Sequence, residues 1–367
     1  MTSAFPPGRR VVVTEFGETP AEAIAKFTRL EAQPAPDPAT LGADEVLIGV
    51  KSAGVTYVDM LMTSGQYQHM PAPPYTPGLD YSGVVLATGR DVRDHRDGDR
   101  VIVDYLAAGP RSTGRYQRAA GFASYAVVPA AALVPIPGTL SFDEAACLLH
   151  AYETAYHCLI ARANLRAGES VVIAGATGLT GLASVEVAKL LGAQVIALGR
   201  SDAKLAVTRR FGADHVINTS PESGRTGVRR FRDDIKAATG GRGADVIYDA
   251  VGGEVSQECM RATAFGARFL IVGWTSTPDV AKGKGERVTV KPNALPTNLM
   301  QMKQLSVLGC PTAIAVTMNP AIRPPRLAKV LEWATAGAIH PYVWRAYRMD
   351  DFEAAMNARW SSEAIGG

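Results

Sequence analysis

Residues 174–193 read AGATGLTGLASVEVAKLLGA, placed between a β-type run and a helical pattern. Gly175, Gly178 and Gly181 are residues that let a backbone turn from strand to helix while closely approaching an anion. Gly178 would let the chain meet a pyrophosphate, and Gly181 would let the helix lie close to its strand. The backbone N–H groups of Leu179 and Thr180, next to Thr177, would face the charge. The spacing is shifted from the usual GxGxxG, with Ala176 in the place of the first glycine and Gly175 ahead of it. The competing reading is a tight turn without a ligand, and the strand–helix alternation around it argues against that.

Roughly twenty residues further on, an NAD-binding chain places an acid for the ribose 2′-hydroxyl. This chain has Gly199, Arg200 and Ser201 there, then Lys204. Arg200, Ser201 and Lys204 offer donors and positive charge, which a 2′-phosphate satisfies and a bare hydroxyl does not require. NADPH is the expected cofactor. Ser201 and Asp202 also suit a helix N-cap and Lys204 a solvated helix face, roles compatible with phosphate binding.

A second stretch, PGLDYSG at 77–83, raises the question of a metal beside Asp80. The plainer role for Asp80 is to anchor its own turn or to pair with Arg100. His150 and His157 lie seven apart on one predicted helix, with no acid or cysteine completing a triad or metal set in sequence, so structural or surface roles are expected. Arg111, Arg115 and Arg118 fall in a Gly-rich loop, read as solubilising; the alternative is recognition of a phosphate-bearing acyl carrier.

These residues need a scaffold of some size. At 367 residues the chain exceeds one ordinary core, and two domains are expected. Hydrophobic content of 47% with 20% charged residues describes a soluble globular protein, and a net charge of +3 without a basic block gives little footing for nucleic acid or anionic lipid. The four scattered cysteines form no CxxC pair, the first ten residues lack a signal peptide's apolar core, and no run of eighteen apolar residues occurs. A cytoplasmic protein with a small-molecule partner is expected.

Up to residue 140 short β-type runs broken by Gly, Pro and Asp suit an irregular antiparallel barrel. From 141 to 311 strands and helices alternate, which predicts a doubly wound parallel sheet with helices on both faces. Residues 312–367 hold helices without a further parallel unit and are expected to return to the first domain. The fold class is therefore α/β, a Rossmann-type sheet plus a β-barrel domain. The Gly/Lys-rich segment 281–288 reads as a loop.

The motifs GVTYVDMLMTSGQY, PGLDYSGVV, GDRV, AGATGLTG, GADHVIN, DVIYDAVGG, RFLIVGW and NLMQMKQLSVLG, in this order, resemble the medium-chain dehydrogenase/reductase superfamily. The likeness is to its zinc-independent quinone oxidoreductase and enoyl reductase branch and spans nearly the whole chain. It implies a GroES-like catalytic domain (1–140 and 312–367), a Rossmann NADPH-binding domain (141–311), and a homodimer formed through the edge strand near Leu305 to Gly309. Zinc-using members carry Cys, then His-Glu, where this chain has Thr56, then Leu79 and Asp80. A tetrahedral zinc needs several N or S donors converging on one point and leucine supplies none, so no metal is expected.

Without a Lewis acid the substrate must carry its own electron sink, which points to a quinone, an α,β-unsaturated carbonyl or an enoyl thioester. By resemblance Tyr67 is the proton donor or substrate anchor, the alternative being a cleft-wall aromatic with solvent as proton source. Thr56 and Tyr57 would touch substrate. Thr154, Asn218, Thr219, Val251, Gly252, Gly273 and Trp274 would line the cofactor track. A second class of function is a catalytically inactive member that keeps the cofactor fold.

Overall fold

The computed structural model describes residues 5–67, 69–276 and 293–367; the 281–288 segment lies outside them. Strands β1 (Gly8–Val13) and β2 (Thr28–Gln33) form an antiparallel hairpin. Next come β3 (Glu45–Gly54), helix α1 (Tyr57–Thr63), β4 (Asp80–Thr88), β5 (Arg100–Val103), β6 (Tyr125–Pro129) and β7 (Leu133–Pro135). The last five strands make an antiparallel sheet in the order β6-β3-β4-β5-β7. Its interior holds Val46, Ile48, Val85, Val101 and Val103, contributed by alternating strand positions, as expected of a sheet buried on one face.

The chain then enters helix α2 (Leu149–Tyr156) and alternates through β8 (Ser170–Ala174), α3 (Leu179–Leu190), β9 (Gln194–Gly199), α4 (Asp202–Arg210), β10 (His215–Asn218), β11 (Ala244–Asp249), α5 (Gly253–Arg261), β12 (Thr263–Ile271) and β13 (Ser306–Gly309). These strands form a parallel sheet in the order β10-β9-β8-β11-β12-β13, the doubly wound arrangement. β8 reads SVVIA and every residue is buried, because a central parallel strand is covered on both faces. The order reverses between the neighbouring strands β8 and β11, so their carboxyl ends open on one crevice.

The returning chain divides its packing. Helix α6 (Arg323–Thr335) buries Val330 and Ala334 in the core that also holds Leu149 and Val171, whereas helix α7 (Phe352–Trp360) buries Phe352 and Met356 against Val11, Met60 and Phe122. The predicted helix that carries His150 and His157 is not continuous: a short piece ends at Ala145, α2 follows, and residues 157–162 widen into a π-helical turn. Ser141 and Glu144 close a reciprocal capping box on the first piece. None of the described helices is long and apolar enough to cross a membrane.

Candidate active site

The phosphate loop has the shape its glycines require. Gly175 sits at φ +80°, and a β-carbon on Gly181 would lie 2.2 Å from the Gly175 carbonyl oxygen. Gly178 is the N-cap of α3 and has no side chain to offer, so the first-turn N–H groups of Leu179 and Thr180 carry no side-chain cap. A twelve-residue helix presenting such a terminus favours an anion there.

Around this loop the strand ends converge. The Asp249 carboxylate accepts N–H groups from Val251 (2.9 Å) and Gly252 (3.0 Å) and a hydrogen bond from Ser256, fixing the turn after β11. Burial raises the Asp249 carboxyl above its ordinary value, while these bonds pull the other way. Gly252, at φ +82°, leaves space that Trp274 approaches, and a β-carbon on Gly273 would lie 3.1 Å from the Ala250 carbonyl oxygen. Val251 in turn lies against Gly175. Thr154 is buried on α2, which packs along α3.

At the end of β9, Arg200 is exposed and Ser201 starts α4 without a side-chain cap bond. Lys204 donates to the Ser362 carbonyl, and burial together with the charge of Arg200 lowers its ammonium below the usual range. Its ammonium is therefore tied to the chain while the side chain stays partly exposed. Asn218 donates to Asp202 at 2.9 Å, and the buried Thr219 hydroxyl reaches the Gly199 carbonyl at 3.2 Å, so both brace this corner. The terminal stretch adds a wall not foreseen from sequence: Gly366 donates to the Thr177 carbonyl at 2.9 Å and bridges Gly178.

The acceptor side is built on the first sheet. Thr56 caps α1 in a reciprocal box, its hydroxyl 2.6 Å from an Asp59 oxygen. The other Asp59 oxygen accepts the backbone N–H groups of Gly78 (3.0 Å) and Leu79 (3.1 Å). Asp59, wholly buried, is thus the anchor of the PGLD turn, in place of Asp80. Asp80 Oδ2 lies 3.4 Å from His150 Nδ1, with neither atom hydrogen-bonded among the described residues, and Asp80 does not pair with Arg100, whose guanidinium donates to the Leu140 carbonyl and covers the Phe142 ring. Tyr57 stacks on Trp360, with ring centroids 5.5 Å apart. The Thr56 hydroxyl and the Tyr57 ring are therefore held in structural contacts.

Tyr67 packs beside Leu79, Val13 and Tyr75, and the Arg111 guanidinium lies 4.9 Å above its ring. Tyr105 stands 5.9 Å from the same guanidinium and meets His150 edge-on at 5.6 Å. Behind Tyr105, Arg323 and Arg326 converge on Glu153, and Arg323 also grips Asp104. Although burial works against its charge, hydrogen bonds to Glu153 and Asp104 push the Arg323 guanidinium above its ordinary value. This network ties α2, α6 and the end of β5 together and sets the position of Tyr105. The loop arginines separate: Arg115 pairs with Glu45, Arg118 is exposed, and Arg111 turns inward.

The residues do not fit a zinc site. Leu79 is buried and apolar, the Thr56 hydroxyl is spent on its cap, and burial pushes the Cys147 thiol up to about 12, with Asp80 adding to the shift. Asp80 and His150 leave two donors, and no group of three or more His, Cys, Asp or Glu suited to a metal occurs among the described residues. A cavity of 620 Å³ opens between β3 and residues 343–349, lined by Ala53, Phe122, Trp344 and Phe352 among others; Tyr67 and the phosphate loop do not line it.

Residues 42–138 match the alcohol dehydrogenase GroES-like domain, and residues 180–323 match the family described as zinc-binding dehydrogenase. The chain is 32% identical over 328 residues to quinone oxidoreductase-like protein 2 homolog of Nematostella vectensis, covering 89% of this chain and 81% of that protein. It is 31% identical to quinone oxidoreductase of Rattus norvegicus over 72% of this chain and 73% of the relative. A crystal structure of a probable oxidoreductase from Mycobacterium abscessus superposes with a TM-score of 0.77 at 25% identity, covering 98% of both chains. With its strand order, its glycine loop and these likenesses, the chain belongs to the quinone oxidoreductase branch of the medium-chain dehydrogenase/reductase superfamily.

Proposed function

We propose that this chain is an NADPH-dependent reductase of activated carbon–carbon double bonds that works without a metal, accepting quinones, α,β-unsaturated carbonyls and enoyl thioesters. The observation that carries the reading is Leu79: a buried leucine packs beside Tyr67 at the position where zinc-using members place a ligand. A site lacking a Lewis acid suits an acceptor whose own carbonyl takes up the electron pair.

In this reading the N–H groups of Leu179 and Thr180 bind the pyrophosphate, and Gly175, Thr177, Gly178 and Gly181 give it room. Arg200 and Ser201 hold the 2′-phosphate, with Lys204 adding charge while tied to Ser362. Thr154, Asn218, Thr219, Val251, Gly252, Gly273 and Trp274 line the track. When bound, the reduced nicotinamide supplies the hydride. Tyr67 donates a hydrogen bond to the acceptor's carbonyl oxygen and is the proton source, and Thr56 and Tyr57 shape the wall behind it. A homodimer through β13 is part of the proposal: β12 is its one neighbour among the described strands, and the flanking Met302 and Met318 are 67% and 79% exposed.

The test follows NADPH absorbance with 1,4-benzoquinone, 2-cyclohexenone and an enoyl thioester. Steady oxidation supports the reading, and Tyr67→Phe should lower turnover about 100-fold. Tight NADPH binding with no oxidation across the panel would instead favour a non-catalytic cofactor-binding protein.

A further inference from the structure

Among the described residues Arg111 is a cation without an anion. Its guanidinium lies over Tyr67 and beside Tyr105, its Nε is closed off from solvent, and no described residue accepts a hydrogen bond from that nitrogen. No carboxylate forms an ion pair with it among the described residues. The acid acting on it from a distance, Asp59, has its oxygens engaged with Thr56, Gly78 and Leu79. Burial lowers the Arg111 guanidinium to about 10. Arg111 is only partly buried as a residue, but withdrawing the Nε side of a cation from water without a counter-charge is unfavourable, and the faces of two tyrosine rings compensate it only in part. Its neighbours Arg115 and Arg118 stay at the surface. The inward turn of Arg111 therefore places an unneutralised positive charge beside the hydroxyl-bearing ring of Tyr67 and the buried Leu79.

We propose that Arg111 is a catalytic residue, the fixed organic cation that receives the acceptor's carbonyl oxygen while it carries negative charge. The inference rests on the reductase reading above. As hydride adds to the far carbon of the alkene, its π pair shifts to the bond between the near carbon and the carbonyl carbon, and the carbonyl π pair moves to the oxygen, giving an enolate. Arg111 donates hydrogen bonds to that oxygen and keeps its protons. The proton that completes the reduction comes from Tyr67, as in the reductase reading. A positive charge set in place beforehand stabilises the oxygen more as its negative charge grows, which is the requirement for lowering a barrier.

Two measurements on Arg111→Met and Arg111→Lys test this. In the first, kcat/KM for 2-cyclohexenone should fall about 100-fold in Arg111→Met and less in Arg111→Lys, while NADPH affinity and Tm hold near wild type. The second needs no turnover: with the oxidised dinucleotide present, 4-nitrophenolate serves as the oxyanion probe. It should bind wild type at least about tenfold more tightly than Arg111→Met, a difference of about 1.4 kcal/mol. If Arg111→Met fails to fold, Arg111→Lys and Arg111→Gln supply the comparison. Equal phenolate affinity in folded wild type and variant overturns the assignment. A wild type that binds phenolate through Arg111 yet oxidises no NADPH would sink the reductase reading and leave the anion site standing.

Discussion

One oxygen of Asp59 holds the backbone N–H of Leu79 at 3.1 Å, across twenty residues of chain. The same carboxylate caps its own helix through Thr56, so one buried side chain sets both the start of α1 and the turn that carries Leu79. Asp59→Asn keeps one acceptor and loses the other. Leaving the Thr56 donors unpaired should cost about 1–3 kcal/mol in a urea unfolding curve. A change under about 0.5 kcal/mol, the size of an ordinary surface substitution, would contradict the anchoring role.

Arg200 sits exposed at the carboxyl end of β9, with Ser201 beside it. Reversing the charge in Arg200→Glu should weaken NADPH binding about tenfold to a hundredfold, the size of losing a charge-assisted contact, with NADH little changed. Fluorescence titration with the two dinucleotides measures this. Equal losses for both would overturn the selectivity argument.

Gly181 reverses a usual rule. In a helix interior Gly→Ala commonly gains about 1 kcal/mol, but here the added carbon would meet the Gly175 carbonyl oxygen at 2.2 Å. Gly181→Ala should therefore lower Tm and, by displacing the loop, weaken NADPH binding at least about tenfold. An alanine variant more stable than wild type with unchanged binding would show that the loop does not need this close approach.

His157 is buried, and its Nε2 has no hydrogen-bond partner among the described residues. Burial, with Arg326 and Arg162 nearby, lowers its pKa from 6.5 to about 4. Between those values the unfolded chain takes up a proton that the folded chain refuses, so stability is present above pH 6.5 and is lost as pH falls toward 4. Replacing it in His157→Gln should flatten that part of the stability curve. Unfolding midpoints at a series of pH values decide it: parallel profiles for the two proteins would refute the role of His157.

How far the sequence was legible depended on the range of the interactions. β8 and β9 read clearly because central parallel strands bury both faces and appear as nearly unbroken apolar runs, and β11 because Val246 to Tyr248 continue that pattern between two acids. The phosphate loop read clearly because strand, glycines and helix are contiguous. Asp59 did not: its bonds to Thr56 follow a local capping pattern, but the grip on Leu79 is set by the fold. The Asp104, Glu153 and Arg323 network joins positions up to 219 residues apart, and nothing local marks those charges as partners. Arg111 looked like its neighbours Arg115 and Arg118 because a Gly-rich loop carries no periodicity from which a side chain's direction can be read. For Asp80 the sequence offers its own turn or Arg100, both near in the chain, whereas α2 brings His150 to it.

The central claim is hydride transfer to an electron-poor alkene by a site that lacks a metal. The direct measurement is NADPH oxidation with 1,4-benzoquinone and 2-cyclohexenone before and after exhaustive chelation, with the protein's metal content assayed in the same samples. Turnover that is unchanged by chelation in protein carrying substoichiometric zinc is the expected result. A stoichiometric divalent metal whose removal abolishes turnover and whose return restores it would contradict the account.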